Sequence, residues 1–342
     1  MTILDGCPVS GPSAAGTLAH MAASSPTPAR SVSPVDLGVL LFLGAVWGGA
    51  FLFLRIAAPE VGPVWAAEVR IGLAAVVLAV VAGRRSWRAL RGHLRAIFVV
   101  GATFSAIPFS LIAFATLTLP TGMAALLNAA TPLFTAGMGV VLLGQRLSRR
   151  VLAGVGVGLA AVLVLVGWSP LEAGPATLLA VVAALGAAMS YAFAGPFVRR
   201  ALPGVGGIEI ATGQLVSGSI VLLPFAIASG MPGTPSAAGA ASLVAVALVS
   251  TALAWPLFFR VLTHTTPTAA STVTFIVPAF GITWGALVLG EPIGPGLVAG
   301  FGLILISLSL VLGLPVGRLV LGAAGRTGRT VRSALSAAAA TF

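Results

Sequence analysis

The chain has 342 residues, of which 58% are hydrophobic and only 7% are charged. Because a soluble domain is about one quarter charged, most of this chain cannot form a water-soluble globule, and lipid is its expected solvent. All 18 basic residues are arginines. The lack of lysine excludes a nucleotide-binding P-loop and Schiff-base chemistry, and a single cysteine, Cys7, excludes a disulfide within the chain.

Ten apolar segments dominate the chain, each about the length that crosses a bilayer as a helix. The 1–35 segment before them is rich in Ser, Pro, Ala and Gly and is predicted to be a disordered tail. A basic tail is predicted at 316–342. The apolar segments lie near 37–57, 63–82, 96–117, 121–143, 150–168, 176–198, 209–229, 240–262, 267–289 and 295–315. We therefore predict an all-α integral membrane protein with ten transmembrane helices.

An internal repeat divides these helices into two halves. The segment 132–167 recurs at 278–313 with a constant offset of 146 residues, and Pro132, for example, aligns with Pro278. The repeat predicts a first five-helix unit at 36–168 and a second at 176–315. Because five is an odd number, the second unit enters the membrane from the opposite side. Inverted repeats are typical of carriers that bind solute near the bilayer midplane.

Arginine positions predict the orientation, because short loops rich in positive charge stay cytoplasmic. With a cytoplasmic N-terminus, all the arginines except Arg55 and Arg70 fall in the N-terminal tail, in the even-numbered connections or in the C-terminal tail. The odd-numbered connections instead carry Glu60, Glu172 and Glu291. This alternation predicts that both termini are cytoplasmic, and it argues against nucleic-acid binding as the reason for the basic charge. The composition, rich in alanine, arginine and glycine, is typical of a GC-rich bacterial genome and predicts the plasma membrane as the location of this multi-pass protein.

The motifs of both halves resemble the drug/metabolite transporter superfamily in its ten-helix form with two EamA-type repeats. The resemblance rests on WGGAFLFLRIA at 47–57, AALLNAATPLFTAGMGVVLLGQRLS at 124–148, STALAWPLFFRVL at 250–262 and TAASTVTFIVPAFGITWGALVLGEPI at 268–293, and it covers about 36–315. It implies alternating-access transport of small metabolites without an ATPase. It also implies a central cavity between helices 3, 4, 8 and 9. The chain departs from the family at Gln145, where a glutamate is usual.

Two charged residues lie well inside the second apolar segment, where an ionised group is costly and suggests a function. Arg70 is predicted to attract an anionic or carboxylate group or to close an outer gate. The alternative is that Arg70 reaches the outer interface or anchors a neighbouring carbonyl group. Glu68 is the candidate site for proton coupling.

Further candidates lie near the middles of other spans. Pro132 and Pro278 are predicted hinges, because proline frees a backbone carbonyl group and kinks a helix. Polar and aromatic residues at these depths could line a solute cavity or serve only in helix packing and interface anchoring. The substrate-cavity candidates are Trp47, Arg70, Phe109, Asn128, Thr131, Tyr191, Gln214, Trp255, Thr274 and Trp284.

The sequence therefore predicts a secondary transporter, an exporter, of a small metabolite or drug. A channel-like facilitator and an intramembrane enzyme are the alternatives. No metal-binding motif, catalytic constellation or cofactor motif is present, so we expect no cofactor, no metal and no enzymatic activity. The expected partners are a small-molecule substrate and membrane lipid, with proton or ion coupling left open, and not nucleic acid.

Overall fold

A computed structural model describes residues 33–143, 148–168, 174–264 and 273–312. Within these ranges the regular structure is helical, with no strand. The predicted tail at 316–342, nearly all of the tail at 1–35, and Gln145 lie outside the described residues.

Within the described residues, each predicted apolar segment contains one helix, except the fourth, which contains two. Among the residues that the structure describes, eight helices are long and apolar enough to cross a membrane, and α9 is a shorter apolar helix. In chain order the helices are α1 (Pro34–Val61), α2 (Pro63–Leu90), α3 (Leu94–Gly101, Ala102–Ala106 and Ile107–Ala115), α4a (Thr121–Asn128), α4b (Thr131–Leu143), α5 (Arg149–Gly167), α6 (Pro175–Ala201), α7 (Gly207–Ser229), α8 (Ala237–Ala247, Leu248–Leu253 and Ala254–His264), α9 (Val273–Leu289) and α10 (Pro295–Leu312). The prediction of an all-α multi-pass membrane fold is confirmed.

Serine caps and a glycine residue mark the ends of several of these helices. The hydroxyl group of Ser33 accepts a hydrogen bond from the backbone N–H of Asp36 and caps α1, which has proline in its first turn. Gly62 separates α1 from α2 with a φ of 82°, a conformation that glycine adopts without steric cost. Ser148 and Ser236 cap α5 and α8 in the same way as Ser33.

The two halves pack against each other through helix pairs that the repeat makes equivalent. Helix α1 packs on α9, and their counterparts α6 and α4b also pack together. Helix α8 packs on α1, as α3 packs on α6. The pairs α2–α7 and α5–α10 join each helix to its own counterpart. This pattern agrees with an approximate two-fold relation between the halves.

The outside of the bundle is apolar, as a lipid-facing surface must be. Large hydrophobic side chains such as Val80, Leu163, Phe225 and Leu287 are more than 60% exposed. They lie on α2, α5, α7 and α9, so the exposed apolar surface extends across both halves of the chain. Such a surface is stable in a bilayer and would aggregate in water.

Helices α1 and α9 approach closely at glycine. A Cβ atom added to Gly48 would lie 2.8 Å from the backbone N of Gly281 and 2.8 Å from the carbonyl O of Val277. Close contacts of this kind depend on small residues, which let two backbones come together in a membrane.

We expect Gly48→Ala to force α1 away from α9 and to destabilise the protein by roughly 1–3 kcal/mol, the usual cost of overpacking. Thermal unfolding in detergent measures the loss. Gly38→Ala is the matched control, because Gly38 lies on the same helix and has no atom within 4 Å of the added methyl group. Equal melting temperatures for the two variants would contradict the assigned contact.

The connections fall on two opposite faces of the bundle. The glutamate face carries Glu60, Glu291 and the described residues of the α1–α2, α3–α4a, α5–α6, α7–α8 and α9–α10 connections. The arginine face carries the other connections, including the 84–95 segment and the end of α6 at Arg200. The two faces reproduce the charge alternation in the sequence.

Candidate functional site

A cavity of about 390 Å³ lies between the two halves. Its walls come from α1, α2, α3 and α4a–α4b of the first half and from α6, α8 and α9 of the second. The residues that line it are Trp47, Ala50, Phe51, Arg70, Phe104, Phe109, Ile112, Ala125, Asn128, Ala129, Thr131, Tyr191, Trp255, Phe258, Val273, Thr274 and Val277. The volume is in the range of pockets that hold small organic molecules.

The cavity brings together eight of the ten residues proposed from the sequence. They are Trp47, Arg70, Phe109, Asn128, Thr131, Tyr191, Trp255 and Thr274. Gln214 and Trp284 lie outside its lining. Gln214 is buried within α7, and its side-chain Nε2 has no hydrogen-bond partner. Trp284 stacks on Phe280 and donates a 3.0 Å hydrogen bond to the backbone O of Ala45, which places it between α9 and α1.

Arg70 is the charged group of the cavity lining, and only 6% of the residue is exposed. Its Nε donates a 3.0 Å hydrogen bond to Oγ1 of Thr251 on α8. The guanidinium carbon lies 3.6 Å from the ring centroid of Phe109, so one face of the cation rests on an aromatic ring. These contacts hold the guanidinium group in a fixed position across the boundary between the halves.

Aromatic rings form a continuous strip from Arg70 towards the arginine face. Phe109 contacts Tyr191 at 6.4 Å between centroids, and Tyr191 contacts Phe104 at 5.5 Å. Phe104 contacts Trp255 at 5.4 Å. Trp47 and Phe258 complete this aromatic strip, with centroids 5.4 Å apart. The strip gives the cavity a largely apolar wall on which a flat solute could stack.

Two π-helical segments, absent from the sequence interpretation, shape the cavity. They are Ala102–Ala106 in α3 and Leu248–Leu253 in α8, which are equivalent positions of the two repeats. They place Phe104 in the cavity wall and Thr251 beside Arg70. Such bulges insert an extra residue into a helix and occur often at functional sites. The two segments begin 146 residues apart, which is the offset of the repeat, but no residue pattern in the sequence marks them as π-helical.

The fourth span is broken beside the cavity. Helix α4a ends at Asn128, and α4b begins at Thr131, with Pro132 in its first turn. Asn128 lines the cavity, and its Oδ1 is buried without a hydrogen-bond partner. The equivalent Pro278 lies inside α9, which continues through it as a helix. The two prolines therefore lie in differently shaped helices.

Polar bonds hold the glutamate face together, and those of Glu291 join the two halves. Nη1 of Arg55 donates hydrogen bonds of 2.6 and 2.8 Å to the backbone O atoms of Thr116 and Leu117. Glu291 accepts from the backbone N of Thr121 at 2.9 Å and from its hydroxyl group at 3.1 Å. The Nε of Arg55 lies 3.9 Å from Glu291 Oε1. We call these five residues the glutamate-face closure.

A second bond at the same face joins α1 to the start of α8. Glu60 accepts from the backbone N of Ser236 at 2.7 Å and from its hydroxyl group at 2.8 Å. Both connections lie at the end of the bundle nearer to Arg70, whereas Phe258, Val273 and Thr274 lie near the arginine face. The cavity thus extends from the closed glutamate face towards the arginine face.

Glu68 does not line the cavity. It points towards α7, where its Oε1 accepts a 2.5 Å hydrogen bond from Ser219, and its Oε2 is buried without a hydrogen-bond partner. Within the described ranges no group of three His, Cys, Asp or Glu side chains is placed to hold a metal ion.

Known proteins of similar sequence are transporters by name. The chain is 26% identical over 285 residues to a protein of Streptantibioticus cattleyicolor named "probable terminal-alkyne amino-acid exporter", covering 82% of this chain and 94% of that one. It is 26% identical to the uncharacterized transporter YvbV of Bacillus subtilis, covering 80% of this chain and 90% of the relative. Both alignments extend over the two halves.

A solved crystal structure shares the fold, with a TM-score of 0.60 and 16% identity over 84% of this chain and 98% of the other. The model of the EamA-like transporter family matches the sequence twice, at residues 36–167 and 178–313. These two matches cover most of the chain and one half of the bundle each. The protein therefore belongs to the EamA-like transporter family.

Proposed function

We propose that this protein is a secondary carrier that exports a small amphipathic solute across the plasma membrane by alternating access. The observation that supports this most is the cavity between the two halves, next to a bonded glutamate face. A carrier needs a solute site that is closed on one side while it is reached from the other. Inverted repeats supply two such arrangements of similar energy.

The proposed orientation places the arginine face in the cytoplasm, because arginine-rich short connections are retained there. Both termini are then cytoplasmic. In this orientation the described conformation is closed towards the outside, and its cavity extends towards the cytoplasm. Solute would be loaded from the cytoplasm, which suits an exporter. The exporter name of the Streptantibioticus cattleyicolor relative supports the same direction.

The proposed conformational change is a rocking of the two halves about α4a–α4b and α9. The helix break before Pro132 and the proline inside α9 are the places where backbone bonding is already interrupted. Rocking would separate the glutamate-face closure and bring the opposite ends of the helices together. The solute would then leave by the outer side.

A pore is the second function to consider, and the cavity does not favour it. Pores select ions with rings of charged side chains or of carbonyl groups. The described cavity lining carries one charged residue, Arg70, amid aromatic and aliphatic side chains. An intramembrane enzyme would need converging acids, bases or metal ligands, and the described lining contains none.

Counterflow in proteoliposomes tests the proposal. Purified protein is reconstituted, loaded with an unlabelled candidate solute, and exposed to the same solute in labelled form. We expect transient accumulation of label that saturates with solute concentration, because a carrier exchanges one bound solute at a time. Flux that rises linearly without saturation would indicate a pore, and turnover of a solute without flux would indicate an enzyme.

Glu68 is the proposed proton site if export is coupled to protons. We expect Glu68→Gln to abolish the acceleration of flux by a pH gradient and to leave counterflow unchanged, because counterflow needs no net proton movement. Flux measured with and without an imposed pH gradient separates the pH-driven rate from the rate of exchange. A pH-driven rate equal to that of the wild type would remove Glu68 from this role.

A further inference from the structure

We propose that the cavity recognises small organic anions, carboxylates above all, through the guanidinium group of Arg70. This inference rests on the proposed function, because it names the substrate class of the same cavity. It follows from what Arg70 contacts, from what it does not contact, and from the shape of the wall beside it.

The charge of Arg70 has no counter-charge within the described residues. Its neighbour Glu68 turns to Ser219 on α7. Arg55 and Glu291 face each other at the glutamate face, away from Arg70. The hydrogen bond of Arg70 uses Nε alone, so Nη1 and Nη2 make no hydrogen bond to any described residue.

A buried cation without a counter-ion is costly, and natural proteins rarely retain one unless it is used. Phe109 and Thr251 offset part of this cost and orient the group. The free edge of a guanidinium group is a planar fork of N–H donors, which matches the two oxygens of a carboxylate. A solute anion would therefore supply the missing charge, whereas a solute cation would be repelled.

The side chains beside Arg70 indicate which chemical groups the remainder of the solute carries. From Arg70, the aromatic strip runs through Phe109, Tyr191 and Phe104 to Trp255. This wall suits a flat or apolar body attached to the anionic group. The unpartnered Oδ1 of Asn128 adds a polar atom on the α4a side. The structure thus fits an amphipathic anion with its charge at the deep end of the cavity.

The alternative is that Arg70 only ties α2 to α8 through Thr251. A structural tie would affect stability and would not distinguish solutes by charge. Three probes of nearly equal shape separate the two roles: 3-phenylpropionate, 3-phenylpropanamide and 3-phenylpropylammonium. Their binding is measured by calorimetry on the full chain in lipid nanodiscs.

For the wild type we expect the carboxylate to bind at least about tenfold more tightly than the amide, with the ammonium probe weakest. Arg70→Gln should remove the preference, and Arg70→Lys should restore part of it, because lysine keeps the charge and loses the fork. Arg150→Gln is the matched control, since Arg150 donates to the backbone of Ser309 on α10, away from the cavity. It should keep the wild-type preference.

A carboxylate that binds the wild type no better than the amide, or not at all, would overturn the inference without recourse to any variant. A preference that persists in a folded Arg70→Gln protein would also overturn it. Failure of the proposed function looks different. Arg70-dependent binding without flux would refute transport and retain anion recognition. Saturable flux without charge preference would refute anion recognition and retain transport.

Discussion

A disulfide across the glutamate-face closure is expected to abolish transport. A Cβ atom added to Gly285 would lie 3.1 Å from Cβ of Thr121. A disulfide joins Cβ atoms about 3.5–4.5 Å apart, so cysteines at these two positions are within reach of each other after a small shift. The residues belong to the start of α4a and to α9, one in each half. If the halves must separate here for solute to leave, the oxidised Thr121→Cys/Gly285→Cys protein should show only the flux of empty liposomes.

The experiment starts from a protein in which Cys7 is replaced by serine. Reduction with dithiothreitol should restore flux, and each single cysteine variant should be insensitive to the oxidant. These controls separate the lock from the loss of the Thr121 hydroxyl group and from the larger side chain at position 285. Full counterflow by a protein shown to be cross-linked would refute a rocking motion that opens this face.

Filling the cavity with a large side chain should abolish transport as completely as the disulfide. Ala129 lies in the break between α4a and α4b and lines the cavity with a small side chain. In the Ala129→Phe variant the benzyl group would occupy space that the solute needs, so saturable counterflow should fall to background. Counterflow and thermal unfolding should be measured on the same preparation.

The matched control is Ala160→Phe, because Ala160 lies on the exposed surface of α5, where a larger apolar side chain meets lipid. This variant should transport as the wild type does. Equal loss of flux in both variants would mean that a larger side chain lowers flux wherever it is placed, and not because it fills the cavity. Normal flux in a folded Ala129→Phe protein would show that the solute does not pass through this cavity.

The helical architecture was predictable because its signals are strong and repeated. Each span needs about 20 apolar residues, and the equivalence of Pro132 and Pro278 shows that the units are duplicated. The alternation of arginine and glutamate then defines two faces. These are properties of composition and spacing, and they survive changes in the detailed packing.

The details of the cavity depend on contacts that spacing does not record. The π-helical segments place Phe104 in the cavity wall and Thr251 beside Arg70, yet their amino-acid composition does not distinguish them from the α-helix around them. The close contact of α1 with α9 at Gly48 draws Trp284 against α1 instead of into the cavity. Residues equivalent by repeat also diverge. Arg70 aligns with Gln214 at an offset of 144 residues, which applies to the first two helices of each unit. Arg70 lines the cavity, whereas Gln214 is buried on α7 outside the cavity lining.

That divergence has a physical reason. A carrier closed at one face cannot hold both halves in the same arrangement, because the two halves enter the membrane from opposite sides. Residues that are equivalent in sequence then have different surroundings. A pattern read from one repeat predicts which residues are equivalent, but it does not predict which member of a pair faces the solute in a given state.

The accessibility of the cavity from each side of the membrane tests the central claim most directly. Asn128→Cys is introduced into the Cys7→Ser protein with and without the Thr121–Gly285 cysteine lock. A membrane-impermeant thiol reagent is then applied to right-side-out or inside-out vesicles. We predict that the locked, oxidised protein reacts only from the arginine face, and that the protein without the lock cysteines reacts from either face. Reaction from the glutamate face at the same rate in both proteins would contradict alternating access through this cavity.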